Sequence, residues 1–380
     1  DSNNVDSNNV DSNNVDSNTT YVNVNHADEY NKTFNSIEEA IENVAAGGVV
    51  IVQSDVKSDN VIRIDEPINL IGCGKSKPAI VLGPDHDGIR IKAKDVYIEN
   101  ISIIGGNHGI IVESAPNCTL ANNEICSSSD GIYIYRSDNC NIQGNVITHA
   151  EENCGSEHSC AINLIIANNN IINNNIIDNM DTGILLTASH NCNIQNNTMN
   201  IKKNGIVLDK IEDAKINKNI ITNVMRGQAS TQGIALMNSK NVLVYYNNIS
   251  NFYTGLSDQE SYDINISYNT LDFINNVGIY LDESNAFDIC NNSVSADDSA
   301  IYAIHICNIN CGRSRNVNSI LNNNYNDFLC GIGLEDISGD IIVLENNEGN
   351  VEGCQIYVHN CDLRKIMGEE EILDRNYCIG

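Results

Sequence analysis

Gly183-Ile184-Leu185-Leu186-Thr187, Asn193-Ile194-Gln195-Asn196-Asn197-Thr198-Met199 and Gly205-Ile206-Val207-Leu208-Asp209 follow one another near the middle of the chain. The third stretch restates the first after 22 residues. Within the interval, three short runs alternate apolar and polar positions with period 2, which marks strands rather than helices. The Gly-Ile element recurs at Gly109-Ile110, Gly131-Ile132, Gly233-Ile234, Gly278-Ile279 and Gly331-Ile332, and Ala161 and Ala300 stand in for Gly in two further units. Most steps are 21 or 22 residues, and the longer ones, of 28 to 31, read as the same unit carrying an inserted loop. Three strands in 22 residues cannot lie flat. They can close a coil whose strands stack on the equivalent strands of the next coil.

Two further columns set the register. Leu120, Ile142, Ile172, Ile194, Ile216, Val244, Ile266 and Ile289 supply one inward row per coil. Asn100, Asn123, Asn145, Asn175, Asn197, Asn219, Asn247, Asn269 and Asn292 recur at one bend between the second and third strands. An amide carries both donors and an acceptor, so stacked copies can bond to one another at the strand spacing of about 4.8 Å. The expected fold is all-β: a single-stranded parallel β-helix of three parallel sheets and about 12 coils of ~22 residues. This pattern resembles the right-handed parallel β-helix repeat family, the pectin-lyase-like proteins with NosD-like and CASH-like domains, of the kind found in archaeal surface proteins. Right-handedness is implied by that resemblance together with the crossover rule. The fold hosts lyases, hydrolases, epimerases, adhesins and surface-layer proteins, so it leaves function open.

The expected organisation is a low-complexity Asp-Ser-Asn-Asn-Val arm over 1–20, a strand and capping helix over 21–48, the β-helix over 49–360 and an acidic cap or tail over 361–380. Ser36 and Glu39 form a capping box, and Ile37, Ala40, Ile41 and Val44 fall on one face of a helix suited to plug the first coil. Two disulfides are expected, Cys154 with Cys160 in a loop and Cys361 with Cys378 across the tail. The 14 cysteines of this acidic chain favour an extracellular or cell-surface location. No leader opens the sequence, so the numbering is expected to start at a processed terminus.

The 380 residues carry 21 Lys+Arg against 50 Asp+Glu, a formal charge of −29. That balance excludes a nucleic-acid binder, which needs clustered cations. No apolar run reaches the roughly 18–20 residues of a membrane span. The outward positions of the first strand give one row through Arg90, Ile111, Tyr133, Asn163, Leu185, Val207, Ala235, Ser257, Tyr280 and Tyr302. A second row runs through Lys92, Glu113, Tyr135, Ile165, Thr187, Asp209, Met237, Gln259, Asp282 and Ile304.

Two functions follow from these rows. Ile111, Tyr133, Tyr135, Ile165, Leu185, Val207 and Met237 make an apolar flank that should be covered by another subunit or by the arm. On that reading the chain is not an enzyme but a secreted structural protein that assembles with itself into a filament, sheath or surface layer. The alternative is a polysaccharide-binding or polysaccharide-modifying protein using Asp85, His86, Asp87, Arg90, Lys92, His108 and Glu113, where a base, cations and carboxylates meet. Cell-envelope polysaccharide is then the partner. The loop residues His149, Glu151, Glu152, Cys154, Glu157, His158 and Cys160 lack typical zinc spacing. Neither a metal nor a cofactor is expected.

Overall fold

A computed structural model describes residues 18–23, 32–74, 76–83, 86–127, 129–149, 159–297, 300–309, 317–338, 341–362, 364, 366–368 and 377–379. Asp85, Cys154 and most of the loop around it, and the arm over 1–17 lie outside the described residues. Strand stacks on strand in parallel throughout, with Ile184 opposite Ile206 and Leu185 opposite Val207. The second-strand sheet is separate and runs through 16 strands, whereas the first- and third-strand faces share one hydrogen-bonded network of 23 strands. They merge because strands such as Ile176–Thr187 and Thr198–Asp209 run through the corner between them.

Isoleucine fills the interior: Ile132, Ile142 and Ile147 of one coil are all fully buried, and the pattern repeats from coil to coil. The Gly of each Gly-Ile element exists for space. A Cβ on Gly205 would sit 2.4 Å from the Gly233 carbonyl oxygen and 2.4 Å from the Ile221 Cγ2. Ala161 and Ala303 occupy this slot only where an insertion precedes the coil. Among the described residues, many of the asparagines serve one of two structural uses. Asn122, Asn139, Asn169, Asn191 and Asn196 hold corner positions at positive φ, a region their short amides tolerate. A second set bonds along the stack.

That stack is continuous. Asn123 Nδ2 donates to Asn145 Oδ1 at 3.2 Å, Asn145 to Asn175 at 3.0 Å, and so on through Asn197, Asn219, Asn247, Asn269 and Asn292. It extends beyond the expected column to Asn323 and Asn347. Asn100 is not a member. It sits one residue early, at φ 58°, and Ile101 fills the ladder slot, its N–H donating to Asn123 Oδ1.

The helix spans Ile37–Glu42, with the Ser36 hydroxyl accepting from the Glu39 N–H at 3.1 Å and with Ile37 and Ala40 buried. Strand pairing begins earlier than expected, since Thr19–Val22 pairs with Val49–Val52. The segment after 360 also continues the coil: Ile366–Gly368 and Tyr377–Ile379 pair in register with the preceding strands. Cys160 and Cys361 carry free thiols, so neither the 154–160 nor the 361–378 bridge forms. Cys160 is fully enclosed in the first sheet rather than reaching into the loop, and Cys361 turns its Sγ to the Leu334 carbonyl at 3.3 Å.

Register also corrects the outward rows near the C-terminal end. Ala303, not Ala300, is the repeat position, because Ile304 pairs with Ile279 and His305 with Tyr280. His305 and Cys307 therefore face outward where Tyr302 and Ile304 were expected, and Tyr302 moves to the position opposite Val277.

Asp258 breaks the apolar rule in the inner row of the first strand. It lies between Leu236 and Leu281 in the core column, is 1% exposed, and neither carboxylate oxygen has a hydrogen-bond partner. Burial pushes its carboxyl up to about 6, against the pull of Ser261 and Ser284, whose hydroxyls instead donate to the carbonyls of Gln259 and Asp282. A raised folded-state pKa means that stability is fully present below the unfolded value of 3.8 and declines as pH rises through about 6. Asp258→Asn should therefore stabilise the chain by about 3 kcal/mol at pH 8, with the gain vanishing near pH 4. Urea denaturation of both proteins at the two pH values checks this; a gain independent of pH contradicts it.

Candidate functional site

The N-terminal end of the first sheet's outer face gathers side chains from three successive coils. Asp87 ends the turn before Gly88, Arg90 follows on the strand Ile89–Ile91, His108 precedes Gly109, Glu113 ends Ile110–Glu113 and Asp130 opens Asp130–Tyr135. Stacking at about 4.8 Å turns residues some 20 apart in sequence into neighbours.

His108 is the hub. Its Nδ1 lies 2.8 Å from Asp87 Oδ1 and its Nε2 3.7 Å from Asp130 Oδ2. With Asp87 accepting the Nδ1 proton, Nε2 is the basic nitrogen. Arg90 ties two coils together, with Nη2 2.8 Å from Asp87 Oδ2 and Nη1 3.4 Å from Glu113 Oε2. Lys92 Nζ stands 3.8 Å from Glu113. Burial works to raise the Asp87 carboxyl, but hydrogen bonds and charge from His108 and Arg90 outweigh it and hold the group below the usual carboxylate range. Asp130 goes the other way. Burial raises its carboxyl, and this prevails over the Asn163 amide, which donates at 3.1 Å, and over His108. Two carboxyl groups flanking one imidazole are thus driven apart in proton affinity, the arrangement that separates acid from base roles. Tyr133 closes one side, its ring centroid 5.8 Å from that of His108, and Arg136 lies 5.0 Å over the Tyr135 ring.

Of the expected site residues, Asp87, Arg90, Lys92, His108 and Glu113 come together. His86 does not join them: it is exposed on the turn that Asp87 ends and makes no ion pair with a described residue. Asp130 and Asn163 belong to the cluster although the sequence offered no more than a polar turn residue and one place in a row. Arg63, paired with Arg90 across adjacent strands, adds a further exposed cation.

The apolar flank is not the bare stripe it looked like. Ile111 and Ala235 are 5% and 4% exposed, and Tyr133, Tyr135, Ile165, Leu185, Val207 and Met237 are half-buried. Stacked neighbours above and below shield each side chain. The large apolar side chains that do reach solvent, among them Ile176, Ile220, Phe273 and Val317, lie elsewhere.

Residues 88–227 match a family model described as periplasmic copper-binding protein (NosD), and residues 168–311 match one described as right handed beta helix region. The chain has the right-handed parallel β-helix fold. No curated protein matches the sequence at a significant level. Solved structures similar to this β-helix protein include the mannuronan C-5 epimerase AlgE6 A-module of Azotobacter vinelandii, at 13% identity and TM-score 0.65, covering 82% of this chain and 94% of that one. The GH136 lacto-N-biosidase of Eubacterium ramulus follows at 13% and 0.61, covering 88% and 68%. An exopolygalacturonase of Thermotoga maritima stands at 13% and 0.53, covering 82% and 87%. The expectation that the β-helix protein is no enzyme is overturned by these neighbours, since its fold is one that polysaccharide-acting enzymes use. Among the described residues no group of three or more His, Cys, Asp or Glu is placed to hold a metal ion, so copper has no fitting site there. No helix among them is long and apolar enough to cross a membrane.

Proposed function

We propose that this β-helix protein acts on an acidic polysaccharide, abstracting the C5 proton of a uronate unit at the His108 cluster. The observation that carries the reading is the Asp87–His108 pair at 2.8 Å, bound through Arg90 to the next coil on an open sheet face. The chain as a whole is strongly negative, with a charge of −29, yet Arg63, Arg90 and Lys92 collect at this one place. Their hold on Glu113 is loose, at 3.4 and 3.8 Å, so a substrate carboxylate can take its place. Cations on that carboxylate acidify the adjacent C5–H bond. His108 Nε2 takes the proton, and Asp87 stabilises the imidazolium. The freed electron pair forms the C4–C5 double bond as the C4–O bond breaks. Asp130, whose carboxyl burial raises, is the group placed to give a proton to the departing oxygen. Base and acid stand 3.7 Å apart on one wall, which favours syn elimination over inversion at C5, a reaction that needs a donor on the opposite face of the sugar. An extracytoplasmic location suits such a substrate and agrees with the periplasmic description of the matching family.

Incubation of the purified chain with polymannuronate, polyguluronate and polygalacturonate tests the reading. Ultraviolet absorbance of an unsaturated product is expected from at least one. New reducing ends without that absorbance would indicate hydrolysis, and no change in any of the three would contradict the proposal.

A further inference from the structure

The first sheet's outer face carries a second cluster at its other end, eight coils and ~38 Å from His108 at the usual strand spacing. Here the His305 ring stacks on Tyr302 at 4.3 Å and 23°, and Tyr280 leans on it at 5.4 Å and 47°. Gly333, the outward position one coil beyond His305, leaves room for this packing: a Cβ there would meet the Tyr302 ring at 2.5 Å. The Tyr302 hydroxyl donates to Glu335 at 3.2 Å, and the Cys307 thiol donates to the Tyr280 hydroxyl at 3.3 Å, so both phenols are fixed in place.

These rings form one end of a groove of about 530 Å³ whose lining also includes the amides of Asn204, Gln232 and Asn276 and, among the described residues, holds no Lys, Arg, Asp or Glu. Glu335 Oε1 stands 3.4 Å from His305 Nε2. Aromatic faces and amides in one concave site suit a molecule with apolar C–H faces and a hydroxyl rim. Charge narrows the class. Asp282 and Glu335 flank the rings and no cation among the described residues lines the groove, so an anionic sugar is disfavoured here, the reverse of the His108 end.

We infer that the Tyr280–Tyr302–His305 groove is a binding site for an uncharged glycosyl unit, separate from the cationic patch. The inference goes beyond the catalytic reading and does not rest on it. Titration calorimetry of the full chain with cellohexaose, xylohexaose and laminarihexaose tests it. At least one should bind, and Tyr302→Ala and His305→Ala should each weaken it about tenfold, the worth of one good ring contact. Tyr302→Phe, which keeps the ring, should change affinity less than about threefold. Trigalacturonate should not compete. Absence of binding by all three hexaoses, or unchanged affinity in both alanine variants with native circular dichroism, overturns the assignment. Failure of the catalytic reading shows separately, as polyuronate left unreacted.

Discussion

Asn197→Ala is expected to destabilise the chain by about 3–5 kcal/mol, far more than a surface substitution. Asn197 Oδ1 accepts both the Asn175 N–H and the Asn175 Nδ2, each at 3.0 Å, while its own Nδ2 donates to the Ile172 carbonyl and to Asn219 Oδ1. Alanine leaves two donors and one acceptor unpaired at a fully buried site, each costing about 1–3 kcal/mol. The neighbouring Asn196 supplies the contrast. It faces solvent at φ 55°, so Asn196→Gly should change stability by less than about 1 kcal/mol. Urea denaturation gives the two values, and hydrogen exchange locates the loss. Amide protection should fall first in the coils holding Asn175 and Asn197, since each coil of a solenoid contacts only its neighbours. Equal effects of the two substitutions would remove the ladder from its place in the energetics.

Loss of His108 is expected to lower kcat/KM on the responsive polyuronate by about 10²–10⁴, the usual worth of a positioned base. Asp87→Asn should act on the same step. An amide in place of the carboxylate can no longer stabilise the imidazolium and can turn its own NH₂ toward Nδ1, so kcat should fall with little change in KM. Arg90→Gln should behave differently. It removes a cation from the substrate carboxylate and also frees Asp87, so KM should rise as kcat falls. Circular dichroism of all three variants should match the wild type, because the residues lie on the outer face and leave the isoleucine interior untouched. Proportionate loss in all three, accompanied by unfolding, would mean that the cluster only fastens its coils together.

The sequence carried the coil strongly because space and hydrogen bonding constrain it at every turn: Gly205 has no room for a Cβ, and each ladder amide must meet the next. It misled where two patterns coincide. Ala300-Ile301-Tyr302 and Ala303-Ile304-His305 both mimic the Gly-Ile element, and the 22-residue step from Gly278 favours the first. The alternation of Ile304 and Ile306, both fully buried, is the signal that separates them, and missing it hid His305 from the outward row. Asn100 misled for a related reason. Most coils carry Asn-Asn at this bend, the first residue at positive φ and the second in the ladder, and the coil of Asn100 keeps only the first. The site was legible in its residue types but not in its weight. Sequence places Asp87 and His108 one coil apart; that Asp130 is buried beside them, and that the apolar flank shields itself, depends on side-chain packing that periodicity does not encode.

The most direct test of the proposed chemistry is a proton NMR spectrum of polyuronate after incubation with the wild type and with His108→Ala. Elimination at the His108 cluster predicts a new vinyl-proton signal with the wild type and none with the variant. A folded wild type that leaves every polyuronate spectrum unchanged, or a variant that gives the signal at the same rate, would contradict it.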